Sequence, residues 1–464
     1  MKEKIHIFYS NDLHSNFENW PKITHFMKKQ RDLYKEKQEE FYLVDIGDHV
    51  DRSHPIAEAF KGKVNVQLLN KAGYDIVTIG NNEGITLEYQ DLFHLYDEAS
   101  FQVTCANLSA KNEPQPTWLQ TKITKVTRTG IRITFFGLTA PFRPYYEPLG
   151  WEIRSAHDYL RDNVMNLKEN SDILVFLSHL GLPDDQVIAE QFPEIDVIIG
   201  GHTHHVLKKN NTHNGVLMTA AGKFGNYVGE VHLTWDHELN QIDKKEAIVN
   251  ETDSLSKDRA TMEYIHQWNN KAMEVLRTPI ATLEQELEVD WFKPTPIIEL
   301  LTNRLREWVD ADIAMLNAGL LLESLPKGTI TYGDIHRICP HPINPCCIEL
   351  RGIEIVEIVR GAFDPKLIHF ELIGFGFRGK VLGKFVFSGL DITTNIGDDG
   401  RERVQDICFQ NQPLDMEATY RFVTADTFIF GQMFPEIVRS NKKKLYLPEF
   451  LRDILADALK NIDK

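Results

Sequence analysis

The stretch Asp75–Ile85, "DIVTIGNNEGI", shows how the first half of the chain is organised. Its apolar run stops at Gly80, and two asparagines and a glutamate follow directly. A short apolar run bounded by helix-like segments is typical of a buried strand in an α/β sheet. The polar residues after it lie beyond the carboxyl end of the strand, where open α/β sheets bind ligands. Asn81 is therefore a candidate functional residue as well as a candidate turn residue.

The same arrangement recurs through residues 1–250. The apolar runs "IHIFYS", "FYLVDIGD", "IRITFFGL", "DILVFLSHLG" and "IDVIIGG" alternate with amphipathic, helix-like stretches such as "AEAFKGKVNVQLLNKAG". This pattern predicts an α/β domain with a largely buried sheet and crossover helices. Residues 251–278 are charged and helix-prone, and we interpret them as a linker helix. Turn-rich strand runs and helices over residues 279–464 predict a second, α+β domain.

The composition excludes several classes of partner. The chain has 464 residues and a formal net charge of −16, which repels nucleic-acid backbones and anionic membranes. A small phosphorylated ligand remains compatible, because a bound metal ion inverts the local field. The start "MKEKIHIFYSNDLH" lacks a signal-peptide core, and no run of about 18 apolar residues occurs. We expect a cytoplasmic protein that binds neither membrane nor nucleic acid; its oligomeric state is left open.

Metal-ligating side chains follow these apolar runs at the point where each run ends. They are Asp12, His14, Asp48, Asn81, His179, His202 and His204. Imidazole and carboxylate ligands together favour Zn²⁺ or Mn²⁺, and the set is too large for one tetrahedral ion. It suits two ions that share the Asp48 carboxylate. Such a pair, about 3.5–4 Å apart, clamps a phosphoryl oxygen and activates a water.

Each fragment also has a structural interpretation when it is taken alone. Asp-Leu-His, Gly-Asp and Asn-Asn are common in caps and turns, and "GHTHH" could be a surface loop. Cys346 and Cys347 could form a metal or redox pair, but buried strand residues of a reduced protein are the favoured interpretation. The metal-site hypothesis is preferred because all the fragments fall directly after apolar runs.

The order and spelling of "DLH … GD … GNNE … SHLG … GGHTH" resemble the calcineurin-like metallophosphoesterases. With its second domain, the chain resembles the branch of 5′-nucleotidases, UDP-sugar hydrolases and 2′,3′-cyclic phosphodiesterases. The resemblance implies a four-layer αββα sandwich and attack by a hydroxide that bridges two metal ions. It assigns one ion to Asp12, His14, Asp48 and His204. It assigns the other ion to Asp48, Asn81, His179 and His202.

The chain departs from this branch where the branch has a catalytic histidine and an aspartate that orients it. Those positions hold Asn82 and Ile85. An amide can donate a hydrogen bond to a phosphoryl oxygen but is not a general acid, whose action is typically worth ~10²–10⁴-fold in rate. Asn82 is kept as a candidate catalytic residue. His49 and His205 are alternative proton donors, although exposed or supporting positions are the favoured interpretation for both.

The second domain departs from the branch as well. The phosphate-binding arginine is replaced by Leu322, and the stacking phenylalanine after a proline by a histidine. The last motif, "ADTFIFGQMF", lacks the ribose-binding aspartate. From the remaining motif positions we predict substrate contacts by Asn317, Gly319, His341 and Phe428, although core packing is the commoner role of a phenylalanine.

The sequence thus predicts a two-metal hydrolase that acts on a phosphate ester or anhydride of a nucleotide or related metabolite. One rival is a phosphodiesterase or pyrophosphatase, because an anhydride tolerates the missing acid. The second rival is a metal-bound sensor of a phosphorylated ligand with degraded catalysis. The second domain is expected to cover the metal centre and to select the substrate.

Overall fold

Two units make up the chain, Met1–Ala272 and Met273–Lys464. The computed structural model describes residues 1–112 and 114–462. The strands of the first unit are β1 (Lys2–Ser10), β2 (Glu40–Asp45), β3 (Ile76–Thr78), β4 (Gln102–Thr104), β5 (Leu108–Ala110), β6 (Leu119–Gln120), β7 (Ile123–Val126), β8 (Arg132–Thr139), β9 (Trp151–Ile153), β10 (Ile173–His179), β11 (Val197–Gly200), β12 (Asn211–His213), β13 (Val216–Ala220), β14 (Tyr227–Asp236) and β15 (Gln241–Glu251).

Helices occupy most of the connections between these strands. They are α1 (Trp20–Glu36), α2 (Pro55–Phe60), α3 (Lys63–Ala72), α4 (Asn81–Thr86), α5 (Tyr89–Phe93), α6 (Arg143–Tyr146), α7 (Ala156–Glu169) and α8 (Leu182–Gln191). A further helix, α9 (Arg259–Val275), runs across the division between the units. It lies in the segment that the sequence indicates as a linker helix.

Two sheets form the centre of the first unit. One has seven strands in the order β15-β14-β1-β2-β3-β4-β6, and the other has six in the order β12-β13-β11-β10-β8-β7. Strands β1, β2, β3 and β4 run parallel to one another, as do β8, β10, β11 and β13. Each sheet therefore gathers the carboxyl ends of several strands along one edge, where the connecting loops meet.

The side-chain alternation of the strands builds four layers. Ile7 of β1 and Val175 of β10 share one buried cluster between the two sheets. The next residues point the opposite way: Phe8 makes an aromatic contact with α1, and Phe176 packs with Leu160 of α7. Each sheet therefore has one face on the other sheet and one face on helices, which confirms the αββα arrangement.

The predicted helix over "AEAFKGKVNVQLLNKAG" is wrong as one element. It is broken into α2 and α3, because Lys61 and Gly62 adopt left-handed backbone conformations, with φ of 50° and 79°. The predicted strand "DIVTIGNN" is also shorter, since β3 ends at Thr78 and α4 begins at Asn81. Asn81 therefore opens a helical turn rather than closing a strand.

A row of hydrogen-bonded side chains joins the outer faces of β1 and β14. The His6 ring stacks on Tyr34 with centroids 3.8 Å apart, and its Nδ1 lies 2.7 Å from His232 Nδ1. His6 Nε2 lies 2.9 Å from Glu39, and His232 Nε2 lies 3.0 Å from Glu230. A neutral His6 ring can donate from Nε2 to Glu39 and accept at Nδ1 from His232. Burial lowers the pKa of His6 to about 4.

This depressed pKa predicts a loss of stability in mild acid. Below pH 6.5, the usual pKa of histidine, His6 is protonated in the unfolded chain but stays neutral in the folded protein. The free energy of unfolding therefore falls as the pH drops from 6.5 to 4. Urea unfolding should show a decrease on the order of 2 kcal/mol over this window. His6→Phe, which keeps the stack on Tyr34, should flatten the profile, whereas the exposed His94→Ala should not. An unchanged profile in His6→Phe would contradict this explanation.

The second unit is built around a mixed sheet of five strands in the order β20-β17-β24-β19-β25. Its strands are β16 (Pro279–Leu283), β17 (Ile313–Asn317), β18 (Gly328–Thr331), β19 (Pro345–Arg351), β20 (Phe385–Ser388), β21 (Asp391–Ile396), β22 (Glu402–Phe409), β23 (Gln412–Pro413), β24 (Thr419–Ala425) and β25 (Lys443–Leu445). Its helices are α10 (Pro296–Val309), α11 (Tyr332–Ile338), α12 (Gly352–Ala362), α13 (Pro365–Ile368), α14 (Pro435–Arg439) and α15 (Leu451–Lys460).

Residues of the helices and two cysteines of this second unit lie in its hydrophobic core. Leu305 of α10 and Leu455 of α15 are fully buried in one cluster with the sheet residues, which confirms the α+β class. Cys346 and Cys347 of β19 are buried free thiols, as a strand packing role requires.

Among residues 1–112 and 114–462, no helix combines the length and apolarity needed to cross a bilayer.

Candidate metal centre

The candidate ligands lie on loops that follow parallel strands of both sheets in the first unit. Asp12 and His14 follow β1, Asp48 follows β2, Asn81 opens α4 after β3, His179 ends β10, and His202 and His204 follow β11. The structure gathers six of them, all except Asn81, into two groups whose potential ligand atoms lie within 4.8 Å of one another. One group is Asp12, His14 and His204, and the other is Asp48, His179 and His202.

In the first group, two imidazole nitrogens and a carboxylate oxygen face one another. His14 Nε2 lies 3.0 Å from His204 Nε2. Asp12 Oδ1 lies 3.8 Å from His14 Nε2 and 3.5 Å from His204 Nε2. Ligands about 2.1 Å from a tetrahedral ion are about 3.4 Å apart, so these separations suit a shared cation. The Asp12 carboxylate is held in place by the backbone N–H of His202, which donates to both of its oxygens at 3.0 and 3.1 Å.

In the second group, Asp48 faces both halves of the centre. Its Oδ1 lies 3.3 Å from His179 Nε2, and its Oδ2 lies 3.8 Å from His14 Nε2 of the first group. The Asn82 backbone N–H donates to Asp48 Oδ1 at 2.7 Å and fixes the carboxylate. The geometry thus places Asp48 where the sequence predicts a ligand common to two ions.

Two buried polar atoms of this centre are available for ligation. His179 donates from Nδ1 to the Ile46 carbonyl at 2.7 Å, which leaves its Nε2 as the ligand atom. Over the described ranges 1–112 and 114–462, Asn81 Oδ1 is buried without a hydrogen-bond partner, and the nearest charged group to the buried His179 Nε2 is the Asp48 carboxylate at 3.3 Å. An unpaired buried polar group costs about 1–3 kcal/mol, and a metal ion would satisfy Asn81 Oδ1. The residues present therefore fit a divalent cation.

Buried charge in the centre favours an added cation. Burial lowers the pKa of His202 to about 4 and of His204 to about 3, so both rings are neutral ligands. Burial opposes a charge on His179, yet the Asp48 and Asp12 carboxylates raise its pKa to about 10. The two carboxylates thus attract a positive charge into a largely buried site.

The loops that present the ligands have unusual backbone geometry. Asp12, His14, Asp48, His202 and His204 all have positive φ, between 49° and 72°. Non-glycine residues rarely adopt this conformation, and such strain concentrates at functional sites. Sequence reasoning missed this feature, because no glycine marks these positions.

Close contact between two glycines brings the second and third loops together. Gly47 has φ of 88°, and a Cβ there would lie 2.2 Å from Gly80 N. A Cβ on Gly80 would lie 2.1 Å from Asp48 Oδ1. Only glycine allows these backbones to approach so closely, and the approach sets Asp48 beside the start of α4.

Glu83 joins the same two loops from within the protein. Its buried carboxyl group accepts from the backbone N–H groups of Asp48 at 3.0 Å, Val50 at 2.8 Å and Gly80 at 3.0 Å. Burial raises the pKa of Glu83 to about 7. Sequence reasoning missed this residue, although its place in "GNNE" is a signal that could have indicated it.

Asn82, the candidate catalytic residue, directs its side chain towards a ligand rather than into open space. Asn82 Nδ2 lies 3.1 Å from His14 Nδ1 and 3.2 Å from the Val50 carbonyl, and the residue is buried. Asp51 Oδ2 lies 3.4 Å from the same His14 nitrogen. The Asp51 carboxylate can accept a proton carried on His14 Nδ1, which orients His14 so that its Nε2 faces the centre. The catalytic role of Asn82 stays a prediction.

The two alternative proton donors lie apart from the centre's interior. His49 is buried against Trp20, with ring centroids 4.9 Å apart, and its Nδ1 lies 3.3 Å from Asn65. Burial lowers the pKa of His49 to about 3, so it carries no proton to give at neutral pH. His205 is exposed and bonds through Nδ1 to Thr203 Oγ1 at 2.8 Å.

The candidate substrate contacts of the second unit are buried. The Asn317 amide donates to the Leu382 carbonyl at 2.6 Å, and a Cβ on Gly319 would lie 1.9 Å from the Val381 carbonyl oxygen. His341 donates from Nε2 to the Leu320 carbonyl, and its Nδ1 accepts from the Arg378 backbone N–H, each at 2.8 Å. Phe428 packs with Phe385 and Phe434 in the core. This placement favours packing roles, and substrate contact by these residues stays a prediction.

Comparison with known families matches both units. Residues 5–206 match the calcineurin-like phosphoesterase model, and residues 279–435 match the model of the 5′-nucleotidase C-terminal domain. The chain is 41% identical over 457 residues to the uncharacterized metallophosphoesterase YunD of Bacillus subtilis (strain 168), covering 98% of this chain and 99% of that protein. It is 23% identical to a 5′-nucleotidase of Vibrio cholerae, covering 94% and 86%.

Solved structures share the architecture. The crystal structure of a 5′-nucleotidase precursor from Thermus thermophilus has a TM-score of 0.61 at 20% identity, covering 99% of this chain and 96% of that chain. The NAD nucleotidase of Haemophilus influenzae has a TM-score of 0.69 at 14% identity, covering 99% and 97%. Together with the paired ligand groups, these matches show that the chain is a metal-dependent phosphoric ester hydrolase. It belongs to the calcineurin-like metallophosphoesterases that carry a 5′-nucleotidase C-terminal domain.

Proposed function

We propose that the protein hydrolyses a phosphate ester or anhydride bond of a nucleotide or a related phosphorylated metabolite. Two divalent cations, Mn²⁺ or Zn²⁺, would be held by the two groups of ligands. Asp12, His14, Asp48 and His204 would hold one, and Asp48, Asn81, His179 and His202 the other. The observation that carries this proposal is that Asp48 faces both ligand groups, while within residues 1–112 and 114–462 the buried Asn81 Oδ1 has no hydrogen-bond partner.

The protein's own residues prepare the centre for this chemistry. Bound cations would supply a nucleophile from water at neutral pH and offset charge on the phosphoryl oxygens. The Ile46 carbonyl fixes the ring orientation of His179 through Nδ1, and the Asp51 carboxylate does the same for His14. These contacts hold the ligating nitrogens in place before substrate binds, which reduces the reorganisation needed in the reaction.

The surroundings of the centre favour substrates with a good leaving group. Asn82 cannot protonate a leaving oxygen, His49 faces Trp20, and His205 lies on the surface. Without a general acid, an alkoxide leaves slowly, whereas a phosphate or a phenolate leaves without protonation. This favours hydrolysis of an anhydride, as in a pyrophosphatase, as the second candidate function.

The nucleotide part of the proposal is supported by the second unit. Residues 279–435 match the 5′-nucleotidase C-terminal domain, and related proteins are described as 5′-nucleotidases and as an NAD nucleotidase. These descriptions concern the related proteins. In this chain the arginine position of the branch holds Leu322.

A phosphate-release screen with Mn²⁺ or Zn²⁺ tests the proposal. The panel should contain nucleoside 5′-monophosphates, nucleoside diphosphates, sugar nucleotides, p-nitrophenyl phosphate and bis(p-nitrophenyl) phosphate. We expect turnover, with anhydrides and aryl esters faster than alkyl monoesters by about 10²-fold or more. Equal rates on alkyl esters and anhydrides would contradict the leaving-group preference. Tight ligand binding with no turnover on any substrate would overturn the proposed function.

A further inference from the structure

The loop between β13 and β14, residues 221–226, is fastened to the loops that carry the first ligand group. Phe224 N donates to the Asp12 carbonyl at 2.8 Å, and Gly222 N donates to the His205 carbonyl at 2.9 Å. The Asn11 amide donates to the Gly222 carbonyl at 2.7 Å and accepts from Ala221 N at 3.1 Å. The backbone of this loop is therefore fixed relative to Asp12 on one side and to the His204 segment on the other.

Two consecutive side chains of this loop lie beside the metal centre. The Phe224 ring meets the His14 ring edge-on, with centroids 5.8 Å apart and planes at 72°. Lys223 Nζ lies above the Phe224 ring, 4.7 Å from its centroid. Phe224 has φ of 60°, an unusual conformation for a phenylalanine, and it turns the loop so that both side chains occupy this position.

The Lys223 ammonium lies close to the first ligand group, since it sits over the Phe224 ring and that ring meets the His14 ring edge-on. Lys223 is half-buried, and within residues 1–112 and 114–462 its ammonium forms no ion pair. By contrast, Lys208 of the neighbouring loop pairs with Glu251. A positive charge without a carboxylate partner thus stands beside the group formed by Asp12, His14 and His204.

We propose that Lys223 binds a non-bridging oxygen of the substrate's phosphoryl group. It would supply from the first unit the positive charge that the resemblance assigns to an arginine of the second unit, where this chain has Leu322. A lysine ammonium is an effective phosphate ligand because it is a compact charge with three hydrogen-bond donors on a flexible stem. This inference rests on the proposed function and predicts a preference for phosphoryl groups that carry two negative charges.

Three variants separate this role from a structural one. Lys223→Met removes the charge and keeps an unbranched apolar stem, and Lys223→Arg restores the charge. Lys71→Met is the matched control, because Lys71 also lies over a ring, 4.3 Å from the centroid of Tyr264, and belongs to α3. Each Mn²⁺-loaded protein should be titrated with inorganic phosphate by calorimetry and assayed on p-nitrophenyl phosphate. Metal content and melting temperature should be measured on the same samples.

We expect Lys223→Met to weaken phosphate binding and to lower kcat/KM, each by about 10- to 100-fold, the usual range for a charge-assisted hydrogen bond. Lys223→Arg should recover most of both, and Lys71→Met should match the wild type. Metal content and melting temperature should not change. If Lys223→Met binds phosphate like the wild type, or loses metal or stability, the Lys223 proposal is overturned while the proposed function stands. If the wild-type protein neither binds phosphate nor turns over any substrate, the proposed function itself fails.

Discussion

Replacing Asp48 with alanine is expected to lower kcat/KM by on the order of 10³-fold or more. The expectation follows from the position of Asp48, whose two oxygens face His179 of one ligand group and His14 of the other. Loss of this carboxylate weakens both cation sites at once. The several kcal/mol of charge stabilisation that such cations supply corresponds to a change of this size. Phosphate release in Mn²⁺, with metal content by mass spectrometry, measures both effects.

Two comparisons make the Asp48 result specific. Asp48→Asn keeps the size of the side chain and an oxygen ligand, so it should retain more metal than Asp48→Ala. Asp172→Ala is the matched control, since Asp172 precedes β10 and forms a surface ion pair with Arg132. It should leave activity and metal content unchanged. Wild-type turnover in Asp48→Ala with full metal content would show that the reaction does not depend on this centre.

Chelation followed by dialysis is expected to remove all measurable hydrolysis and to lower the melting temperature. Binding of one cation at 100 times its Kd stabilises the folded protein by about 2.7 kcal/mol. For a unit of this size, each kcal/mol corresponds to about 2–4 °C, so the loss of two cations should lower the melting temperature by roughly 10–20 °C. Calorimetry before and after Mn²⁺ or Zn²⁺ is restored measures the effect.

Variants that remove a single ligand test the two cation sites separately. His204 belongs to the first group and His179 to the second, so each alanine variant should lose one cation and keep the other. The bound metal should fall from about two ions per chain to about one in either variant. A melting temperature unaffected by chelation would show that no resident cation stabilises the fold. Simultaneous loss of both ions in His179→Ala would show that the sites are not separable.

The strand ends were the part of the fold that the sequence predicted best. Apolar runs indicated β1, β2, β10 and β11, and parallel strands of buried sheets place their carboxyl ends together. The convergence of Asp12, Asp48 and His179 was predicted because each residue lies at or just after the carboxyl end of such a strand. The break between α2 and α3 was missed because a lone Gly62 inside an amphipathic stretch is a weak signal.

The supporting contacts of the centre could not be predicted in the same way. Glu83 depends on three backbone N–H groups brought together by the close approach of Gly47 and Gly80, which is a tertiary effect. In the second unit, motif position identified His341 and Phe428, yet motif position carries no information on burial. His341 turns both ring nitrogens to backbone groups, and Phe428 lies in the core.

The Glu83 contacts hold the loop around Asp48 through backbone N–H groups. The carboxyl group of Glu83 and the two glycines, rather than the side chain at position 82, fix the path of this loop. A lineage can therefore exchange the side chain at position 82 while it keeps the path of the loop that carries Asp48. Substrate range and metal retention are separable traits in such an architecture, and position 82 is a natural place to redirect the enzyme towards other esters.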